Sequence, residues 1–261
     1  MKKNERDGLH FFHLGSIPEN GVVRHAIYSR LGGISPAPYA SLNLSMSVPD
    51  EGERVYANRR LVYGQYGRDT ASVVHAHLVH GAAVARVTQA DNGTWLKHVD
   101  GLITDEPGCV LTMNFADCAP ILIYDPRHRA IGLGHAGWRG AVVDQPGSLV
   151  RAMGEQFGSR PADLVAAVGP CIGPCCYEVG PEVIDAVRGS FAEPDHLLRQ
   201  NGGARSHFDL PEANRHNLAA AGVTQVELSG YCTACRTDLF FSHRAEKGQT
   251  GRFGVLFALE N

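Results

Sequence analysis

The stretch "GLGHAGWRG", residues 132–140, sets His135, Trp138 and Arg139 among glycines at the end of an apolar run, Ala130 to Leu133. Just upstream, "NFADCAPILIYDPRH" carries Asp117 and Cys118 ahead of a second apolar run. A thiol beside an imidazole can be a nucleophilic pair, because the imidazole favours the thiolate, or two ligands of a metal. The two runs flank "DPRH", a good turn sequence, and so read as an antiparallel hairpin. A four-residue loop over 125–128 would pair Tyr124 with Arg129 and, counting outward, Cys118 with His135. Residues paired in this way share a face, with Cβ atoms about 5 Å apart.

Three roles fit that pair: an inert core cysteine with a hydrogen-bonded histidine, a Cys–His dyad, or a catalytic metal site. The metal reading needs at least one further ligand. "HAHLVHG" offers His75, His77 and His80, and spacing alone does not choose among them. A second thiol group lies in "CIGPCCYEVG" and "CTAC". Structural zinc through Cys171 with Cys175 or Cys176, a redox pair and inert packing all fit these thiols, and inert packing is the expectation.

The elements that must position these groups are those of a mixed α/β (α+β) fold. Strands are expected at "VVRHAIYSR", "ASVVHAHLVH", "AAVARVTQ", three within "DGLITDEPGCVLTMNFADCAPILIYDPRHRAIGLGHAG" including the central hairpin, "DLVAAVGP", "VTQVELS" and "RFGVLFAL". Helices are expected over about 51–66, from Leu149 to Phe157, from Pro181, and after Asp209, which caps its helix. The first would start from a capping-box-like Asp50 and Glu53 and turn Val55, Arg59, Val62 and Tyr66 to one face. Arg59 on that stripe is either a snorkelling stem or an inward anion binder. About nine or ten strands and four helices, not in regular βαβ alternation, predict layered mixed sheets with flanking helices. No linker divides the chain, so residues 1–261 read as one domain, with 1–21 a loosely attached N-terminal segment.

Composition narrows the partners. A net charge of −3 with no basic block gives no footprint for nucleic acid. No run approaches a membrane span, and the N-terminus has no secretory core, so a cytoplasmic protein is expected. Seven cysteines, an odd count, argue against a disulfide framework. Nothing in the pattern fixes an oligomeric state.

Longer motifs carry a resemblance. "SLNLSMSVPD", "LVHGAAVARV", "DGLIT…PGCVLTMNFADCAPILIYDP", "GLGHAGWRG", "VGPCIGPCCYEVG" and "FFSHRAEKGQTGR" occur in this order from about residue 22 onward. Together they resemble the polyphenol-oxidase/laccase-like domain family. Its bacterial members are also described as zinc-dependent purine nucleoside phosphorylases and as peptidoglycan-editing-factor-like proteins. The resemblance implies a metal held by His80, Cys118 and His135, and a single α/β domain with mixed sheets. It also marks departures: Phe115 and Leu78 stand where the family commonly has Thr and Gln, and "GAVVDQPGSLV" departs from its helix entry.

By resemblance the expected activity is phosphorolysis of adenosine, inosine and methylthioadenosine, with adenosine deamination alongside. The partners are then a purine nucleoside and phosphate. Three protein ligands would leave zinc an open position, and positioning with charge stabilisation would do most of the work. Arg59 and Arg139 are the expected anion binders, Asn43 of "SLNL" a substrate donor, and Asp117 a ligand orienter or proton shuttle. Trp138 is expected to pack across its loop. The alternative is editing of peptidoglycan precursors, an amide hydrolysis on a UDP-muramoyl-amino acid. Copper is a possible metal, but copper oxidation is not the expected main activity. Several copper centres need many histidines with HxH pairs, and "HAH" at 75–77 is the single pair here.

Overall fold

Residues 1–200 and 205–260 are described by the computed structural model. Three strands open the chain, Lys2–Arg6 (β1), Leu9–His13 (β2) and Val23–Tyr28 (β3), followed by the helix Gly52–Gly64 (α1). The middle supplies Val74–His77 (β4), Val84–Arg86 (β5), Trp95–Lys97 (β6), Gly101–Thr104 (β7), Val110–Phe115 (β8), Ala119–Asp125 (β9) and Ala130–Ala136 (β10). Two helices come next, Trp138–Val142 (α2) and Gln145–Phe157 (α3). The remainder is Val165–Val168 (β11), Glu178–Val179 (β12), Pro181–Ser190 (α4), Leu198–Gln200 (β13), Ser206–Phe208 (β14), Leu210–Ala220 (α5), Gln225–Leu228 (β15) and Phe253–Leu259 (β16). The strands missed by the sequence reading are mostly pieces of two or three residues, β6, β12, β13 and β14, too short to show a period. None of the described helices is long and apolar enough to cross a membrane.

The fold is the expected mixed α/β class. One sheet runs β1-β2-β3-β16-β8-β4-β6, a second β15-β11-β9-β10-β7-β5, and a small third β12-β14-β13. Strand parity sets the layers. On β16, Phe253, Val255, Phe257 and Leu259 join Leu122, Tyr124, Ile131 and Leu133 of β9 and β10 in one core between the two large sheets. Leu256 and Ala258, on the opposite face of β16, pack with Val62 and Tyr63 of α1. Ala119, Ile121 and Ile123 of β9 face the other way, onto Leu149 and Met153 of α3 and Leu210 and Leu218 of α5. The result is helix, sheet, sheet, helix, which explains why β9 and β10 are buried from end to end.

Three local expectations are corrected. Residues 1–21 are not loosely attached: β2 pairs with β3, and Leu9, Phe12, Leu14 and Ile17 are buried. Asp50 and Glu53 do not form a capping box, because Glu51 is the N-cap and the Asp50 carboxylate accepts from Ser35 Oγ (2.6 Å) and Asn43 Nδ2 (3.0 Å). The hairpin turn sits one residue later than assumed, pairing Asp125 with Ala130 and therefore Pro120, not Cys118, with His135. The partner of His135 has moved by two residues, one full strand period, so Cys118 keeps the face of His135 on the diagonal.

Candidate metal centre and active-site cavity

Three side chains from separate parts of the chain meet at the open end of the layer between the sheets. The donor atoms of His80, Cys118 and His135 all lie within 4.8 Å of one another. His135 comes from β10, Cys118 from the tight connection between β8 and β9, and His80 from the turn after β4. His80 and Asp117 both adopt left-handed backbone, φ 63° and 82°, marking sharp turns at His80 and just before Cys118. His75 is excluded from the group: it is buried and stacked on Trp95, its register partner in β6, at 4.1 Å. His77 stays on the cavity wall.

Two glycines make the approach possible by being small. A Cβ on Gly137 would stand 2.7 Å from Cys118 Sγ, and one on Gly134 2.8 Å from the Gln145 side chain. Neither glycine has positive φ, so close packing is what requires them here. Gln145 in turn donates from Nε2 to the Asp100 carbonyl at 3.0 Å.

Asp100 organises the candidate ligands, and the sequence reading did not single it out. Its fully buried carboxylate accepts from the amides of Val79 (3.1 Å), His80 (2.9 Å) and Gly81 (2.8 Å). It also faces His135 Nδ1 at 3.1 Å, which leaves Nε2 as the nitrogen free for a metal. Burial opposes its ionisation, yet the bonds from His135 and Gly81 hold the carboxyl below the usual range. The one signal in the sequence was its place at the head of the "DGLIT" motif.

Cys118 and His135 are electrostatically coupled. Burial would raise the Cys118 thiol, but His135 and then His80 outweigh it and bring it down to about 6. Burial would lower His135, but Cys118 and Asp100 raise it to about 9. A thiolate and two imidazoles at this spacing suit one zinc or copper ion.

The trio opens into a cavity of about 640 Å³. Its wall carries three guanidinium groups, Arg139, Arg244 and Arg252, with Leu78, Trp95, Trp138 and Tyr177. Burial pulls Arg252 down from its usual range, countered by the nearby charges of Cys118 and Asp117. Arg244 and Arg252 were missed, although both stand in "FFSHRAEKGQTGR". Arg139 lies on α2 and reaches Glu182 at 3.2 Å. Trp138 lines the cavity, 4.2 Å below the Arg139 guanidinium.

Two expected site residues lie elsewhere, and a third is engaged within the wall. Arg59 does not line the cavity. It is 2% exposed, donates from Nε to the Leu44 carbonyl at 2.9 Å and sits 5.0 Å from the Trp95 ring. Asn43 is fully buried and saturated: Nδ2 donates to Ser45 O and Asp50, and Oδ1 accepts from the Ser45 and Arg252 amides. It shapes the backbone next to Arg252 and cannot offer a substrate bond. Asp117 does line the cavity, but its carboxylate accepts from Thr233 Oγ1 (2.6 Å), Ser242 Oγ (2.7 Å) and the Arg244 amide (2.6 Å).

Comparison with known proteins follows this geometry. A family model described as multi-copper polyphenol oxidoreductase laccase matches residues 24–260. Purine nucleoside phosphorylase YlmD of Bacillus subtilis (strain 168) is 38% identical over 242 residues, 89% of this chain and 87% of the relative. Adenosine deaminase RL5, from an unknown prokaryotic organism, is 34% identical over 224 residues, 82% and 85%. The crystal structure of YlmD from Geobacillus stearothermophilus superposes with a TM-score of 0.91 at 35% identity, covering 99% of this chain and 98% of that one. The chain therefore belongs to the laccase-like polyphenol oxidoreductase family, among relatives named as purine nucleoside phosphorylases.

Proposed function

We propose that this protein is a metal-dependent purine nucleoside phosphorylase, with zinc held by His80, Cys118 and His135. Adenosine, inosine and methylthioadenosine are the proposed substrates, and adenosine deamination is a side activity of the same centre. The observation that carries the reading is one cavity with a His₂Cys trio at its base and three arginines on its wall. The names of the relatives point the same way.

When bound, the metal supplies Lewis-acid stabilisation of negative charge developing on an oxygen. The chain's own residues do the rest. Arg139, Arg244 and Arg252 would hold phosphate, since a planar guanidinium matches two phosphate oxygens at once. A phosphate oxygen attacks the anomeric carbon, the bond from that carbon to the purine nitrogen breaks, and the departing base takes up a proton from the phosphate or solvent. Trp138, Tyr177 and Leu78 give the nucleoside apolar walls that exclude water. Asp100 fixes the tautomer and direction of His135. Asp117 acts as a positioning residue, holding the Thr233–Arg244 segment against the site.

Phosphate dependence tests the reading. Adenosine with phosphate should give adenine and ribose 1-phosphate, while adenosine without phosphate should give inosine only slowly. Release of an amino acid from a UDP-muramoyl-amino acid, with no ribose 1-phosphate from any nucleoside, would replace it with precursor editing.

A further inference from the structure

Outside the cavity, four more thiols converge. Cys175 and Cys176 stand in the turn after β11, and Cys232 and Cys235 in the turn after β15. A parallel bridge between Cys171 and Cys232 ties the turns together, and the Thr233 amide donates to the Cys171 carbonyl at 3.0 Å. All four Sγ atoms lie within 4.8 Å of one another. Cys235 Sγ is 3.4 Å from Cys175 Sγ and 3.3 Å from Cys176 Sγ. The Gly173 amide donates to Cys232 Sγ at 3.2 Å.

The expectation was inert packing, or zinc through Cys171 with Cys175 or Cys176; in the structure Cys175 and Cys235 are exposed and the group forms without Cys171. Cys171 is fully buried and stands outside the group, and its place is taken by the two cysteines of "CTAC". The sequence hid the match because the two pairs are nearly sixty residues apart.

We propose that Cys175, Cys176, Cys232 and Cys235 form a structural zinc site separate from the His80–Cys118–His135 centre. A disulfide joins two sulfurs, whereas Cys235 is approached by two at once and Cys232 completes the set. Four thiolates about 2.3 Å from one zinc ion stand about 3.8 Å apart in a tetrahedron, which is the scale of this group. An amide donating to a ligating sulfur is the outer contact such a site uses to orient its ligand. Binding would release the thiol protons to solvent. With four protein ligands the ion has no open position, so its work is structural.

What it would hold is the wall of the cavity. The first turn carries Ile172 and Tyr177 into the lining. The second carries Thr233, whose hydroxyl anchors Asp117 and through it Arg244. Zinc there would tie together two turns distant in sequence, just beyond the parallel pairing of β11 and β15 and the Cys171–Cys232 bridge.

Metal counting tests this without relying on catalysis. The full-length protein is loaded with zinc under reducing conditions, desalted, and assayed by elemental analysis. Wild type should hold about two zinc ions per chain, and both the Cys118→Ala/His135→Ala and Cys175→Ser/Cys235→Ser variants about one. The Cys118→Ala/His135→Ala variant, loaded with cobalt(II) instead, should show the intense thiolate-to-metal absorption of a four-sulfur tetrahedral site. That variant keeps all four cysteines, so it decides the matter even where the serine variant fails to fold. A Cys118→Ala/His135→Ala protein that binds neither zinc nor cobalt would overturn the proposal. So would recovery of the four thiols as disulfides from protein purified under reducing conditions.

Discussion

Asp100 Oδ1 lies 3.1 Å from His135 Nδ1, and the same carboxylate receives the amide of His80 at 2.9 Å. One buried side chain thus aims two of the three ligands, one through its ring and one through its backbone. Asp100→Asn should weaken zinc binding at the trio by about 10–100-fold, the usual cost of removing an outer carboxylate. Competition with a chromophoric chelator measures it, in a background where the four-cysteine group has been blocked. An unchanged affinity would show that the trio is oriented without Asp100.

The contact between Gly137 and Cys118 makes a second expectation. A methyl at Gly137 would come within 2.7 Å of Cys118 Sγ, so the thiol has to move. Gly137→Ala should cost about 1–3 kcal/mol of stability through overpacking, and should lower metal occupancy of the trio out of proportion to that loss. Denaturant titration beside elemental analysis separates the two effects. Full occupancy in a destabilised protein would mean that the thiol does not ligate from this position.

Arg252 and Asn43 should behave differently although they are neighbours. Arg252→Ala removes a guanidinium from the cavity wall and should raise KM for phosphate about tenfold or more, as for loss of a charge-assisted bond. Asn43→Ala removes four hydrogen bonds of a buried side chain and should lower the melting temperature instead. Steady-state kinetics with varied phosphate and thermal unfolding give both readings. A phosphate KM unmoved by Arg252→Ala would remove that residue from the anion site.

His75 sets an acid limit. Burial, with the Arg59 charge beside it, lowers His75 to about 3, so the folded protein keeps this ring neutral. In the unfolded chain the ring protonates near its ordinary value, about 6.5. Between those values the unfolded state binds more protons, so stability falls as pH drops from about 6.5 toward 3. His75→Phe keeps the stacking on Trp95 and removes the titration, so its stability should fall less steeply than wild type over that window. Parallel denaturation curves at pH 7, 5.5 and 4.5 compare them, and identical slopes would discount His75.

The candidate ligand trio was legible because hairpin parity survives a slip of two residues. Cys118 and His135 share a face in either register, and the motifs supplied His80. The rest was hidden for stated reasons. Asp100 acts through hydrogen bonds to a turn that no spacing announces. Arg244 and Arg252 reach the cavity from a loop that follows no period. Arg59 and Asn43 looked like site residues by type and motif, but neither lines the cavity: Arg59 Nε is bound to the Leu44 carbonyl, and Asn43 to the Arg252 amide. The layers followed from patterning where strands were long, as in β9, β10 and β16, and were lost where strands held only two or three residues.

The most direct test of the central claim is ribose 1-phosphate formation from adenosine by wild type and by Cys118→Ala. The account predicts phosphate-dependent product from the zinc-loaded wild type and at least about a hundredfold less from a folded Cys118→Ala protein. Equal rates in the two proteins, or no ribose 1-phosphate from the zinc-loaded wild type, would contradict it.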